Sequence, residues 1–199
     1  MIAILDYGSG NLRSALRAFE TTGRKIVITS DPDIAMKASG LVVPGVGAFE
    51  SCMNGLKKVG GDQIIKHRVA NNQPTFGICI GMQILFKTGF ENGVHDGVGV
   101  IDGEVKLLSA PILPHMGWNT VKVGAGSKIF KGLTDKENLY YFVHSYAVQS
   151  APVQLPAYSN YYGEFLAAFE HGSITATQFH PEKSGASGLK LISNWAETL

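Results

Sequence analysis

Three side chains in two distant segments have the chemistry for nucleophilic catalysis: a cysteine, a histidine and a glutamate. The first segment is Gly77-Ile78-Cys79-Ile80-Gly81-Met82-Gln83, entered through the apolar run Pro74-Thr75-Phe76. A strand running into a cysteine, glycines two positions away on each side, and a helical stretch beyond describe a nucleophile held on a sharp strand-to-helix turn. Neighbouring side chains have no room in such a turn, and a helix N-terminus there favours thiolate over thiol. The second segment is Gln178-Phe179-His180-Pro181-Glu182. Pro181 biases His180 away from helix, and residues two apart in extended backbone share a side. Glu182 is thus placed to hold the His180 imidazole in one tautomer.

Acyl transfer also needs donors for a tetrahedral oxyanion. The Ile80 N–H, just past the nucleophile, is one candidate. Pro44-Gly45-Val46-Gly47 supplies a second, because its glycines let backbone approach a ligand and permit a peptide flip. Other signals lead nowhere comparable. Gly8-Ser9-Gly10-Asn11-Leu12-Arg13 imitates a dinucleotide fingerprint, but Arg13 stands where the third glycine belongs. Cys52 reads as a buried structural cysteine. His67, His95 and His171 show no metal-ligand spacing. Neither a metal nor a cofactor is expected.

The elements that must position these groups follow from the periodicity. Ile2 to Leu5, Lys25 to Thr29, Leu41 to Val43 and Thr75 to Ile78 read as buried strands. Amphipathic stretches alternate with them, so a parallel sheet covered on both faces is predicted. From about Val98 the pattern turns to strands: Glu104 to Leu108, Trp118 to Val123, Leu139 to Val143, Phe165 to Phe169, Ile174 to Gln178. A last helix carries Leu189, Ile192 and Trp195, with Ser187 as a possible cap. The expectation is one α/β domain over residues 1–199, with a mixed, mostly parallel sheet in a flavodoxin-like arrangement. Cys79 and His180 both follow strands, whose carboxyl ends in such folds gather active-site groups.

The bulk numbers bound the rest. At 199 residues the chain is long enough to bury a core without staples. Seventeen basic against 16 acidic side chains, without a basic stripe, argue against nucleic acid or an anionic membrane as partner. Two cysteines are too few for a disulfide framework. Met1-Ile2-Ala3-Ile4-Leu5-Asp6 lacks the basic start and apolar length of a signal peptide. A cytoplasmic location is expected.

The nucleophile segment together with His180-Pro181-Glu182 resembles the class I, or triad, glutamine amidotransferases. Further blocks resemble the glutaminase subunits of imidazole glycerol phosphate synthases: Asp6 to Ser14, Pro44 to Gly47, Pro114-His115-Met116-Gly117-Trp118-Asn119, Tyr141 to Tyr146, and Phe179 to Ser184. Ile80 departs from the usual leucine, a conservative change where only the backbone N–H is used. The resemblance implies hydrolysis of glutamine to glutamate and ammonia, with the ammonia passed to a partner cyclase barrel in a heterodimer of histidine biosynthesis. Cys79 would form the γ-glutamyl thioester, His180 move protons and Glu182 orient it. Gly47 and Ile80 would form the oxyanion hole, while Gln83, His144, Ser145 and Tyr146 bind the amino-acid end of glutamine. Asn11 and Trp118 match positions facing the cyclase. Two other readings stay open at this level: the glutaminase of another synthase (pyridoxal phosphate or anthranilate), and an inactive glutaminase-like regulatory module. The intact Cys79, His180 and Glu182 speak against the second.

Overall fold

The computed structural model describes residues 1–134 and 136–199. Its first half alternates strand and helix: β1 (Ile2–Leu5), α1 (Leu12–Glu20), β2 (Ile26–Thr29), α2 (Pro32–Lys37), β3 (Gly40–Gly45), α3 (Phe49–Lys58), α4 (Gly61–Ala70), β4 (Thr75–Cys79) and α5 (Ile80–Gln83). β1, β3 and β4 are short apolar runs buried along their length, as a sheet covered on both faces requires, while the edge strand β2 is only partly buried. Helix starts are set locally. Asn11 accepts the Ser14 N–H, and Asp31 accepts those of Asp33 and Ile34 just ahead of Pro32.

The second half is strand-rich: β5 (Phe86–Gly89), β6 (His95–Asp96), β7 (Ile101–Leu107), β8 (His115–Thr120), β9 (Lys122–Val123), β10 (Leu139–His144), β11 (Tyr146–Val148), β12 (Ala157–Asn160), β13 (Glu164–His171) and β14 (Ile174–Thr177). A 3-10 turn at Pro181–Lys183 then leads into α6 (Gly185–Glu197). The central sheet has eight strands in the order β2-β1-β3-β4-β14-β13-β12-β9. The five from β2 to β14 run parallel and the remaining three are antiparallel. Because β2 and β3 flank β1 on opposite sides, right-handed crossovers put the helices on opposite faces. Accordingly α1 packs against α6, and α4 against α2 and α3.

The predicted α/β class and mixed sheet hold, with two refinements. The stretch Trp118 to Val123 is two strands in different sheets: β8 pairs only with β10, whereas β9 joins the edge of the main sheet. A further four-stranded sheet, β11-β7-β5-β6, lies outside the central one. Ser187 caps nothing, since α6 begins at Gly185 and the residue ahead of it, Ser184, is engaged elsewhere.

Two packing features hold the site's frame. Trp195 on α6 meets Phe19 of α1 and Phe76 of β4, with ring centroids 5.8 and 5.2 Å apart. On the other face the fully buried Arg68 donates to the carbonyls of Ala35, Met36, Ala38 and Pro74 and to the Thr75 hydroxyl. One guanidinium thereby fastens α2, α4 and the entry to β4.

Candidate active site

Strands β3, β4 and β14 are neighbours in the sheet, so their carboxyl ends lie side by side. β3 ends in the Gly45 to Gly47 loop, β4 ends at Cys79, and β14 leads through Gln178 and Phe179 to His180. Topology alone therefore brings together the two segments that the sequence leaves about a hundred residues apart.

Cys79 has φ +56°, a conformation β-carbon-bearing residues seldom adopt. The turn that forces it is packed backbone on backbone. A β-carbon at Gly81 would lie 1.8 Å from the Val43 carbonyl oxygen, and one at Gly77 would lie 2.6 Å from the Gly81 oxygen. The glycines flanking the cysteine are thus steric necessities. Helix α5 is a single turn, so the dipole expected to act on the sulfur is that of four residues rather than of a long helix.

His180 is anchored through its main chain. Its N–H donates to the Tyr141 carbonyl at 3.0 Å, and its own carbonyl accepts the Ser184 hydroxyl at 2.6 Å. That hydroxyl in turn accepts the Tyr141 N–H. The imidazole Nδ1 is 2.8 Å from Glu182 Oε1, both side chains being buried. Nε2 is buried without a hydrogen-bond partner. Burial alone would lower the His180 pKa, but the negative charge of a Cys79 thiolate and the bonded Glu182 carboxylate outweigh it and push it up to about 10. A base so placed keeps its proton beside the sulfur, ready to be handed to a leaving group.

A cavity of about 250 Å³ opens over these groups. It is lined by Cys79, His180, Gly47, Ile80 and Gln83, together with Val143 to Tyr146 and Glu91. Its size lies below the roughly 300–1,000 Å³ typical of drug-sized ligands, so it suits a small molecule. Ile80 opens α5, where first-turn N–H groups have no partner within the helix. In the adjoining loop, the Val46 carbonyl accepts the Ser9 hydroxyl at 2.8 Å and the Cys52 thiol at 3.3 Å. Carbonyl and N–H of one trans peptide point oppositely, so the Gly47 N–H is turned away from Ser9 and Cys52. Cys52 is buried, as a structural cysteine should be, and acts on this peptide.

Deeper in, polar side chains form a chain whose direction is fixed by chemistry. The Tyr146 carbonyl can only accept, so His144 Nδ1, 3.0 Å away, must carry a proton. His144 Nε2 therefore accepts from His115 Nδ1 at 3.0 Å, and His115 Nε2 from the Asn119 amide at 3.2 Å. His115 is stacked between Phe142 and Tyr161. Burial lowers its pKa to about 4, and that of His144 to about 3, which keeps both rings neutral.

The site contains all that acyl transfer from a small amide demands: a strained cysteine, a buried histidine with an orienting carboxylate, and free backbone donors. Comparison with known proteins agrees. The family description "Glutamine amidotransferase class-I" matches residues 3–198. The chain belongs to the class-I glutamine amidotransferases. It is 54% identical to "Imidazole glycerol phosphate synthase subunit HisH" of Mycobacterium bovis over 202 residues, covering 100% of this chain and 98% of that protein. The protein of the same name from Thermobifida fusca is 50% identical over 208 residues, again covering 100% and 98%. Among solved structures, PurLQS from Thermotoga maritima superposes with a TM-score of 0.73 at 17% identity, covering 99% of this chain and 97% of that one, and a glutamine amidotransferase superposes with a TM-score of 0.74 at 17% identity, covering 98% and 97%.

Within this amidotransferase the expected residues fall into two groups. Cys79, His180, Gly47, Ile80, Gln83, His144, Ser145 and Tyr146 line one cavity, with Glu182 directly behind His180. Asn11 and Trp118 lie outside it, both exposed. Sequence reading missed Glu91, a carboxylate in the cavity wall whose Oε2 accepts the Phe49 N–H at 2.7 Å. It sits in a turn after β5 and carries no motif. Gln178 shows in the sequence only as the end of the strand leading to His180, yet its side chain is wholly buried beside Cys79.

Proposed function

We propose that this chain hydrolyses glutamine to glutamate and ammonia, as the ammonia-producing subunit of an imidazole glycerol phosphate synthase in histidine biosynthesis. The observation that carries the reading is the meeting of Cys79 with the His180–Glu182 pair at adjacent strand ends, in a chain about half identical to such subunits along its whole length. Cys79 Sγ attacks the side-chain carboxamide carbon. The oxyanion is received by the N–H groups of Ile80 and Gly47. His180 gives its proton to the leaving nitrogen as the C–N bond breaks, which releases ammonia and leaves a γ-glutamyl thioester. His180 then takes a proton from water, the hydroxide displaces the sulfur, and glutamate departs. Glu182 holds His180 Nδ1–H throughout. The amino-acid end of glutamine rests against Gln83 and the His144-Ser145-Tyr146 segment, and the Glu91 carboxylate suits its ammonium group.

Residues 1–199 act as one amidotransferase domain, and the ammonia passes to a companion cyclase of β/α-barrel fold in a cytoplasmic heterodimer. The apolar outer face of the β8–β10 ribbon supports a docking role. Trp118, 54% exposed, pairs across strands with Tyr141, and Met116, 63% exposed, pairs with Val143. Asn11 is the second contact of this reading.

The test is a coupled assay of the purified chain with its cyclase. Cys79→Ala should lower glutamine-driven synthesis by roughly 10⁴-fold or more while added ammonia still supports it. Glu182→Ala should cost about a hundredfold less than that. Undiminished glutamine turnover in Cys79→Ala would remove the nucleophile assignment.

A further inference from the structure

Gln178 has no part in the chemistry described so far, yet its side chain is fully buried and its Nε2 lies 3.8 Å from Cys79 Sγ. Which end of an amide faces a sulfur matters. An N–H stabilises negative charge there, whereas a carbonyl oxygen repels it. Here the orientation can be deduced. Gln83 Nε2 lies 2.8 Å from the Tyr146 carbonyl oxygen and 3.0 Å from Gln178 Oε1. A main-chain carbonyl cannot donate, so Gln83 must present its NH2 group to Tyr146. The second proton of that group then requires an oxygen on Gln178. With Oε1 committed to Gln83, the NH2 group of Gln178 is left for the sulfur. The Tyr146 carbonyl is itself held by His144 Nδ1–H at 3.0 Å, so it cannot turn aside. Reversing Gln83 would set its oxygen against two acceptors.

We propose that Gln178 is a positioning residue for the nucleophile: its Nε2–H holds Cys79 Sγ toward the cavity and stabilises negative charge on it, with the polarity imposed by the Tyr146 carbonyl through Gln83. This inference rests on Cys79 being the nucleophile. The titratable groups facing Cys79 are His180, Tyr7 and Cys52, with Glu91 on the same cavity wall. All four are unchanged in the variants below, so a difference between variants belongs to Gln178.

The experiment compares wild type, Gln178→Met and Gln178→Glu of the full chain. Iodoacetamide modification of the Cys79 peptide is followed by mass spectrometry across pH, beside glutaminase kinetics. Gln178→Met removes the donor at similar volume. Gln178→Glu still accepts from Gln83 but turns an acceptor to the sulfur. The midpoint of Cys79 modification should rise by roughly one pH unit in Gln178→Met and further in Gln178→Glu, the worth of a hydrogen bond to a charged group. The kcat for glutamine should fall about tenfold or more in both variants, with KM little changed in Gln178→Glu, which keeps the contact to the substrate-facing Gln83. Midpoints in both variants equal to wild type would overturn the proposal, as would a shift in Gln178→Glu no larger than in Gln178→Met. Should Gln178→Met melt well below wild type, the isosteric Gln178→Glu decides alone: a midpoint at the wild-type value refutes the proposal. Modification needs no glutamine turnover, so a chain without glutaminase activity would fail the previous section's assay and still answer this one.

Discussion

A single main-chain oxygen, that of Tyr146, governs the polarity of the site. It receives His144 Nδ1–H from one side and the Gln83 amide from the other. The first contact fixes the tautomers of two histidines, and the second fixes two glutamine amides. Both histidines must stay neutral for this to work, because a proton on His144 Nε2 would face the His115 Nδ1–H. Their pKa values are lowered by burial to about 3 and about 4, whereas an unfolded histidine titrates near 6.5. Above roughly pH 6.5 neither state takes up these two protons, and the contribution of the neutral pair is fully present. As pH falls toward about 4 the unfolded chain gains two protons that the folded chain refuses, so stability declines through that window. Urea midpoints measured from pH 7.5 to 4.5 should show the decline, and Asn119→Asp should alter it by placing a carboxylate beside His115. A flat profile would contradict the neutral pair.

At the scale of elements, the turn that carries Cys79 depends on how closely α5 approaches β3 and β4. Gly81→Ala puts a methyl group into the Val43 carbonyl, which only movement of the helix can relieve. We expect a loss of about 3 kcal/mol in stability and, from the displaced Cys79, at least roughly a hundredfold loss in glutamine turnover. A variant with wild-type melting and activity would show that the turn has slack. Arg68 is the complementary case of stability without chemistry. Its partners are carbonyls and a hydroxyl rather than a carboxylate, and burial lowers its pKa to about 10. Arg68→Ala strands several buried carbonyls at once and should cost on the order of 4 kcal/mol in urea unfolding. Lysine, a point charge without the planar fork, should rescue little of it.

For the whole molecule, the β8–β10 ribbon has two unlike faces. One buries His115, Tyr140, Phe142 and His144 against Phe165 and Phe179; the other shows Met116, Trp118 and part of Tyr141 to solvent. The same β10 residue that pairs with Trp118, Tyr141, also anchors the His180 main chain. On the docking reading above, Trp118→Asp should weaken association with the cyclase at least tenfold in a titration, as loss of an aromatic anchor does, without lowering the melting temperature of the chain alone. Unchanged affinity would move the interface elsewhere. Among the described residues no helix is long and apolar enough to cross a membrane.

Much of this was legible from residues alone. Cys79 with its flanking glycines announced a turn that tolerates no side chains, because steric exclusion leaves a local mark. The pair His180 and Glu182 was legible for the same reason, being two residues apart. Apolar runs separated by amphipathic stretches gave the parallel core. What stayed hidden was long-range polar pairing: Glu91 in the cavity wall, Gln178 against the sulfur, and the His115–His144 contact between two strands. A hydrogen bond between side chains 29, 95 or 99 residues apart leaves no periodicity and no spacing in the chain. Only the order of strands in the sheet brings such groups within 4 Å, and only their shared carbonyl decides which of them gives the proton.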